Sequence, residues 1–229
     1  MRLITFSGPP SSGKTSVIIS TIRALKNNGA DVAVVKMDCF TSDDKELYQK
    51  ENIPVGVGLS GNLCPDHFFI TNIEQCFEWG MKKGVNYLIT ESAGLCNRCS
   101  PHISGVMAVC VIDNLMGVNT PKKIGPMLKM ADIVIITKGD IVSQAEREVF
   151  AFKVRQANSK CLILNVNGIT GQGCTEFATI LSEAQEHDAV TGEKLRFTMP
   201  AAVCSYCLGE KKIGKEYQLG NTRKVEFHD

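Results

Sequence analysis

Gly8-Pro9-Pro10-Ser11-Ser12-Gly13-Lys14-Thr15 decides how this chain is read. These residues fit G-x-x-x-x-G-K-[ST], the pattern of a phosphate-binding loop. The apolar run Leu3-Ile4-Thr5-Phe6 precedes them, and a helical pattern follows at Val17, Ile18, Thr21, Ile22 and Leu25. Strand, loop and helix in that order are the context the motif requires. Its glycines let the backbone curl so that N–H groups face phosphate oxygens, and the positive end of the next helix adds to that field. In this reading Gly8, Pro9, Pro10, Ser11, Ser12, Gly13, Lys14, Thr15 and Ser16 cradle a nucleotide. Lys14 supplies charge to the β- and γ-phosphates, and the Thr15 hydroxyl is a Mg²⁺ ligand. The structural alternative is a glycine turn before a helix with Lys14 in solvent.

Composition narrows the class of protein. A chain of 229 residues with 44% hydrophobic and 21% charged residues reads as one α/β domain of ordinary size with a small appendage. A net charge of +1 offers no basic field for nucleic acid. No apolar run approaches the ~20 residues that span a bilayer, so no membrane partner is expected. The N-terminus enters a core strand at once, which argues against a signal peptide and for a cytoplasmic protein. In that reducing compartment the ten cysteines read as packed thiols or metal ligands rather than disulfides.

Further along, strands are predicted at Asp31–Met37, Val85–Thr90, Val106–Ile112, Ala131–Ile136 and Cys161–Asn165, with helices between them. That alternation predicts a doubly wound, mostly parallel sheet over residues 1–189. Ile53 to Asn62, with Pro54, Gly56, Gly58 and Gly61, reads as a loop, and Pro65 suits the first turn of a helix that continues from Phe68 to Lys83. From about residue 190 the rhythm stops. Residues 190–229 read as a small cysteine-containing appendage without a core of its own.

Carboxylates stand where ligand chemistry is expected, at the C-terminal ends of strands. Asp38 ends the second strand and reads either as a group near Mg²⁺ or as a cap of the next helix. In the first reading Thr41 and Asp44 follow in a γ-phosphate-sensing segment. Glu91-Ser92-Ala93-Gly94 ends the third predicted strand like a Walker-B segment, with Glu91 on a Mg²⁺-bound water and the Gly94 amide near the γ-phosphate. Lys14, Thr15, Asp38 and Glu91 are thus the candidate catalytic set. Thr137-Lys138-Gly139-Asp140 stands where guanine is read by Asn-Lys-x-Asp, with Thr137 in place of the Asn. The Asp140 carboxylate would accept from N1–H and N2–H₂ of guanine, and the loop beginning at Asn167 would complete the base pocket.

Together these residues resemble the SIMIBI-class metallocentre-assembly GTPases, HypB and UreG with their CobW relatives. The resemblance rests on the phosphate loop, Asp38 with Thr41 and Asp44, Cys64 opening a helix, and Glu91-Ser92-Ala93-Gly94-Leu95-Cys96. Ala131-Asp132, Thr137-Lys138-Gly139-Asp140 and Thr170-Gly171-Gln172-Gly173 complete it, over about residues 1–180. It implies that Cys64 and Cys96 are metal ligands at a dimer interface whose geometry follows the nucleotide. His67 stands near a family histidine, with Asp66 inserted before it. This chain lacks the histidine-rich N-terminal extension and adds Cys99 and a Cys-x-x-Cys tail.

Cys96-x-x-Cys99 and Cys204-x-x-Cys207 are ligand-spaced pairs. They could meet in one Cys₄ site holding Zn²⁺ or an iron–sulfur cluster. Alternatively Cys96 and Cys99 of two protomers could form a shared [4Fe–4S] site, the tail pair then holding its own metal with other ligands. A third reading makes the cysteines incidental. Cys76, Cys110, Cys161 and Cys174 read as packed thiols, His102 as a capping or surface residue, and His187 and His228 carry no signal.

The reading is a homodimeric cytoplasmic GTPase, with GTP favoured over ATP, that uses Mg²⁺ and serves a client metalloenzyme or accessory protein. Its cysteines would hold Zn²⁺, Ni²⁺ or a [4Fe–4S] cluster. The rivals are an ATP-dependent reductive activator with an iron–sulfur cluster, a MobB-like or small-molecule kinase, and a zinc-ribbon adaptor.

Overall fold

A computed structural model describes residues 1–200, 202–220 and 222–227. His228 lies outside the described residues. Among the described residues, seven strands form one sheet: β1 (Arg2–Ser7), β2 (Val32–Asp38), β3 (Val55–Leu59), β4 (Tyr87–Ser92), β5 (Met107–Asp113), β6 (Ile133–Thr137) and β7 (Leu162–Asn165). Their order is β3-β2-β4-β1-β5-β6-β7, and every pairing is parallel. Among the described residues, eight α-helices accompany them: α1 (Lys14–Asn27), α2 (Asp44–Lys50), α3 (Pro65–Thr71), α4 (Ile73–Lys83), α5 (Thr120–Ile124), α6 (Pro126–Lys129), α7 (Gln144–Ala157) and α8 (Cys174–Ser182). No helix among the described residues is long and apolar enough to cross a membrane.

Period-two alternation sends successive side chains to opposite faces of the sheet. Ile4 and Phe6 join Val17, Ile18, Ile22 and Phe177 on one side, under α1 and α8. Leu3, Ala33, Val35 and Met37 point the other way, toward Phe68, Phe69 and Trp79 of α3 and α4. A third cluster packs α5, α6 and α7 on β5 and β6. Cys76, Cys110 and Cys174 are buried in these clusters, and Cys161 is half-buried.

The structure corrects two sequence expectations. Val55–Leu59 is an edge strand paired with β2, not a loop. Its alternating valines are the β signal, and its glycines answer a packing demand. A Cβ on Gly56 would lie 2.7 Å from the Phe227 ring, and one on Gly58 2.4 Å from the Met37 sulfur. The predicted single helix from Pro65 to Lys83 is two, broken at Asn72. That buried side chain donates to the Phe68 and Arg223 carbonyls and accepts from the Val225 amide. It exchanges helix continuity for a tie to the C-terminal segment.

That segment contributes Val190, Leu195, Met199, Tyr206 and Ile213 to the core under α3 and α4. Arg196 fastens it near the sheet. Its guanidinium spans both oxygens of Asp132 at 2.7 Å and donates to the carbonyls of Ile103, Val106 and Met130.

Candidate functional site

β1 has β4 on one side and β5 on the other, with β2 beyond β4, so the chain reverses its winding at β1. The crevice at the C-terminal ends of strands around such a point is where open α/β sheets bind ligands. The loop from Gly8 to Gly13 occupies it. Ser11 and Gly13 have positive φ, and Gly13 caps α1 with no side-chain hydrogen bond. Gly8 has φ +143, and a Cβ there would lie 2.1 Å from the Val111 carbonyl oxygen. The loop can therefore lie this close to β5 only with glycine at its start. The Lys14 ammonium donates to the carbonyls of Gly8 and Pro9 at 3.0 and 2.8 Å. Burial pushes its pKa down.

A cleft of ≈ 410 Å³ opens over this loop, lined by Lys14, Thr15, Lys36, Asp38, Asp44 and Glu91 among others. Glu91 is its buried centre, 1% exposed. The Thr15 hydroxyl donates to one carboxylate oxygen at 2.9 Å, and Lys36 to the same oxygen at 2.8 Å. The Tyr48 hydroxyl donates to the other oxygen at 2.7 Å. Lys36 also pairs with Asp44 at 2.6 Å. Burial acts to lower Lys36, but the charges of Glu91 and Asp44 outweigh it and raise its pKa. Burial, and then Glu91, holds the Tyr48 hydroxyl protonated. Asp38 lines the same cleft and accepts from the Cys39 amide.

Lys36 and Tyr48 did not stand out in the sequence. The signal for Lys36 was present: a lysine inside the apolar run Val32–Met37, in register opposite Glu91. Tyr48 had none, because a tyrosine on a short helix reads as ordinary core.

At the other side of the loop, the Thr137 hydroxyl donates to the Ser12 carbonyl at 2.7 Å. Lys138, at φ 57, donates to the Ser11 carbonyl at 2.9 Å and pairs with Asp113 at 3.1 Å. The segment 137–140 is thus anchored on the phosphate loop, with Asp140 exposed. Asn167 folds its own loop by accepting from the amides of Ile169 and Thr170. Gly168 lies so close to α1 that a Cβ would meet the Val17 nitrogen at 2.5 Å. Lys138 and the Gly168 turn therefore abut the phosphate loop and the first turn of α1.

β4 has a second face. Glu91 looks toward the cleft, and Ser92, the next residue, looks toward α3, where its hydroxyl donates to Asp66 at 2.5 Å. Asp66 is fully buried, and its other carboxylate oxygen has no partner among the described residues. Burial and the neighbouring Cys64 push its pKa up to about 7. Gly94 follows, and a Cβ there would come within 2.9 Å of the Gly8 carbonyl oxygen. Two residues later the chain reaches Cys96.

Cys64, Cys96 and Cys99 bring their sulfurs together, Cys96 to Cys99 at 2.9 Å and Cys64 to Cys96 at 4.0 Å. A hydrogen bond from Cys99, with others from the Asp66 and His67 amides at the start of α3, lowers the Cys64 thiol to about 6. Pairing with Cys64 and burial push Cys99 the other way. Cys204 and Cys207 do not join this group. They lie with His67 instead, so the two Cys-x-x-Cys pairs do not form one four-sulfur site within the chain. His102 is neither a surface residue nor beside the cysteines. It is fully buried against Thr5, Ser7 and the Met127 carbonyl.

A family model for the CobW/HypB/UreG nucleotide-binding domain matches residues 2–165. The chain is 48% identical over 226 residues to an uncharacterized protein of Methanocaldococcus jannaschii, covering 99% of this chain and 97% of that one. It is 32% identical over 149 residues to urease accessory protein UreG 2 of a Bradyrhizobium species, covering 60% of this chain and 69% of the relative. Among solved structures, HypB from Helicobacter pylori in complex with nickel aligns at TM-score 0.65 and 20% identity, over 82% of this chain and 91% of that one. Hydrogenase maturation factor HypB from Archaeoglobus fulgidus aligns at TM-score 0.64 and 19% identity, over 80% and 89%. At these identities the structural likeness speaks to the fold.

Proposed function

We propose, from the premise that this chain belongs to the CobW/HypB/UreG family of P-loop GTPases, that it couples GTP hydrolysis to the binding and release of a thiophilic metal. The cargo lies at Cys64, Cys96 and Cys99, and the recipient is a client metalloenzyme or its accessory protein. The observation that supports this is the run from Glu91 to Cys99. Glu91 accepts from the phosphate-loop Thr15, Ser92 from its opposite face bonds Asp66 beside Cys64, and Gly94 lies against Gly8. Within five residues the same backbone leads from the nucleotide cleft to the Cys96 thiol. A shift of this segment on phosphate loss would move one sulfur of the trio relative to Cys64.

Residues 8–16, with Gly94, hold the phosphates, and Lys138, Asp140 and Asn167 hold the base, anchored through Thr137. The cleft's side-chain oxygen donors, from Thr15, Asp38, Asp44 and Glu91, fit a hard cation. Thr15 and Asp38 would hold Mg²⁺ directly and Glu91 through water, and the ion would neutralise charge between the β- and γ-phosphates. The residues then have separate tasks. Lys14 balances phosphate charge, Lys36 and Tyr48 fix the orientation of Glu91, and Glu91 orients the water and Thr15. A low-pKa Cys64 supplies a thiolate at neutral pH, the form that binds metal. Three sulfurs from one chain leave room for ligands of a second, which suits a cytoplasmic homodimer with the trio at its interface.

The test is metal stoichiometry with GDP and with a non-hydrolysable GTP analogue. It should differ between the two states in the native protein and lose that difference in Cys96→Ala/Cys99→Ala. Equal content in both states would refute the coupling. Elemental analysis and a visible spectrum after anaerobic purification identify the ion. A brown protein that prefers ATP would favour a reductive activator instead.

A further inference from the structure

The C-terminal segment brings two thiols to His67 on α3. Cys204 caps a single turn of 3₁₀ helix (Ser205–Leu208) and Cys207 lies within it, and their sulfurs lie 3.7 Å apart. His67 Nε2 is 3.4 Å from one and 3.3 Å from the other. A tetrahedral ion with Zn–S near 2.3 Å and Zn–N near 2.05 Å places two sulfurs about 3.8 Å apart and sulfur and nitrogen about 3.6 Å apart. All three edges match to within about 0.3 Å.

The surrounding chain holds this arrangement. The Cys207 amide donates to the Cys204 carbonyl, closing the turn. Ser205 bridges the Tyr217 carbonyl and the Leu219 amide, and the buried Tyr206 hydroxyl accepts from the Gly214 amide. His67 and Cys204 are both buried. A buried imidazole facing two thiols that one tight turn holds 3.7 Å apart is the donor chemistry of a zinc knuckle rather than of a packed core.

We propose that His67, Cys204 and Cys207 form a second metal site, separate from the cysteine trio, that takes Zn²⁺ or a similar tetrahedral ion and fastens the tail to α3. Three protein donors leave the fourth position to water. The first turn of α3 then serves three ends in four residues: Cys64 faces the trio, Asp66 holds Ser92, and His67 faces the tail. This goes beyond the cargo reading, since the site needs neither nucleotide nor Cys96 and would stand if the trio carried nothing.

The probe is Co²⁺ added to reduced, metal-free protein under anaerobic conditions. Cys96→Ala/Cys99→Ala should retain one equivalent with thiolate charge-transfer and tetrahedral bands, the same with GDP and with the GTP analogue. Cys204→Ser/Cys207→Ser should lose that equivalent and its bands. His67→Gln should weaken it by at least about 100-fold and shift the bands. Guanine-nucleotide binding checks that each variant is folded. A trio variant that binds no Co²⁺ overturns the proposal, and so does a folded tail variant with the native stoichiometry and spectrum. Should the tail variant not fold, the trio and His67 variants decide. Failure of the cargo reading shows separately, as a nucleotide-independent Cys96 ion.

Discussion

Lys36→Met should be among the costliest single substitutions near the cleft. Lys36 Nζ lies 2.8 Å from Glu91 Oε1, with the lysine side chain 4% and the glutamate 1% exposed. At an effective dielectric near 20 the attraction at that distance is about 6 kcal/mol, and desolvation of both groups offsets much of it. Removing only the ammonium leaves Glu91 buried with two neutral donors, Thr15 and Tyr48. Breaking a buried pair from one side costs about 3–5 kcal/mol. Glu91→Gln should cost less, about 1–3 kcal/mol, because Lys36 keeps Asp44 at 2.6 Å. The double variant should cost less than the sum by about 2 kcal/mol. Urea unfolding without nucleotide, followed by fluorescence of the single tryptophan Trp79, measures all three. Additivity to within about 0.5 kcal/mol would refute the pairing as a stabilising unit.

Gly8→Ala should lower nucleotide affinity by about 100-fold or more, since its Cβ meets a backbone oxygen at 2.1 Å; equilibrium dialysis with labelled GTP checks this. Asp140→Ala should remove a charge-assisted pair to the base, weakening GTP binding by about 10- to 100-fold while leaving ATP nearly unchanged, as competition binding would show. His102 carries an acid-stability prediction. Burial, and then the Arg196 charge, lowers its pKa to about 3 from an unfolded value of 6.5. A depressed folded value means that the unfolded chain binds the proton first. Its contribution is therefore fully present above pH 6.5 and lost as pH falls toward 3. At pH 5 the loss is about 2 kcal/mol, and His102→Gln should flatten the curve between pH 7 and 5.

Much of the fold was legible because a parallel sheet buried on both faces writes its strands as apolar runs. Six strands and the phosphate loop stood out that way. β3 did not, because its glycines serve contacts with Trp79, Phe227 and Val225 that only the folded chain reveals. The break at Asn72 was hidden for the same reason, its partners lying about 150 residues away in sequence. At the site, residues with a motif were visible, and those that serve a motif residue were not. Glu91 announced itself at the end of a strand, while Lys36 and Tyr48, which orient it, come from other elements. Spacing paired the cysteines as Cys96 with Cys99 and Cys204 with Cys207. It carried no information on which third side chain each pair would meet, because the start of α3 supplies both, Cys64 as its cap and His67 from its first turn.

Coupling between the bound nucleotide and Cys96 is what the proposed function requires. Its most direct test is the metal affinity of the trio, measured by competition with a chromophoric chelator, in the protein loaded with GDP and with a non-hydrolysable GTP analogue, in a Cys204→Ser/Cys207→Ser background. The path from Glu91 through Gly94 predicts at least about a fivefold difference between the two states, the lower end of ordinary coupling energies. Affinities equal within error, with both nucleotides bound, would contradict it.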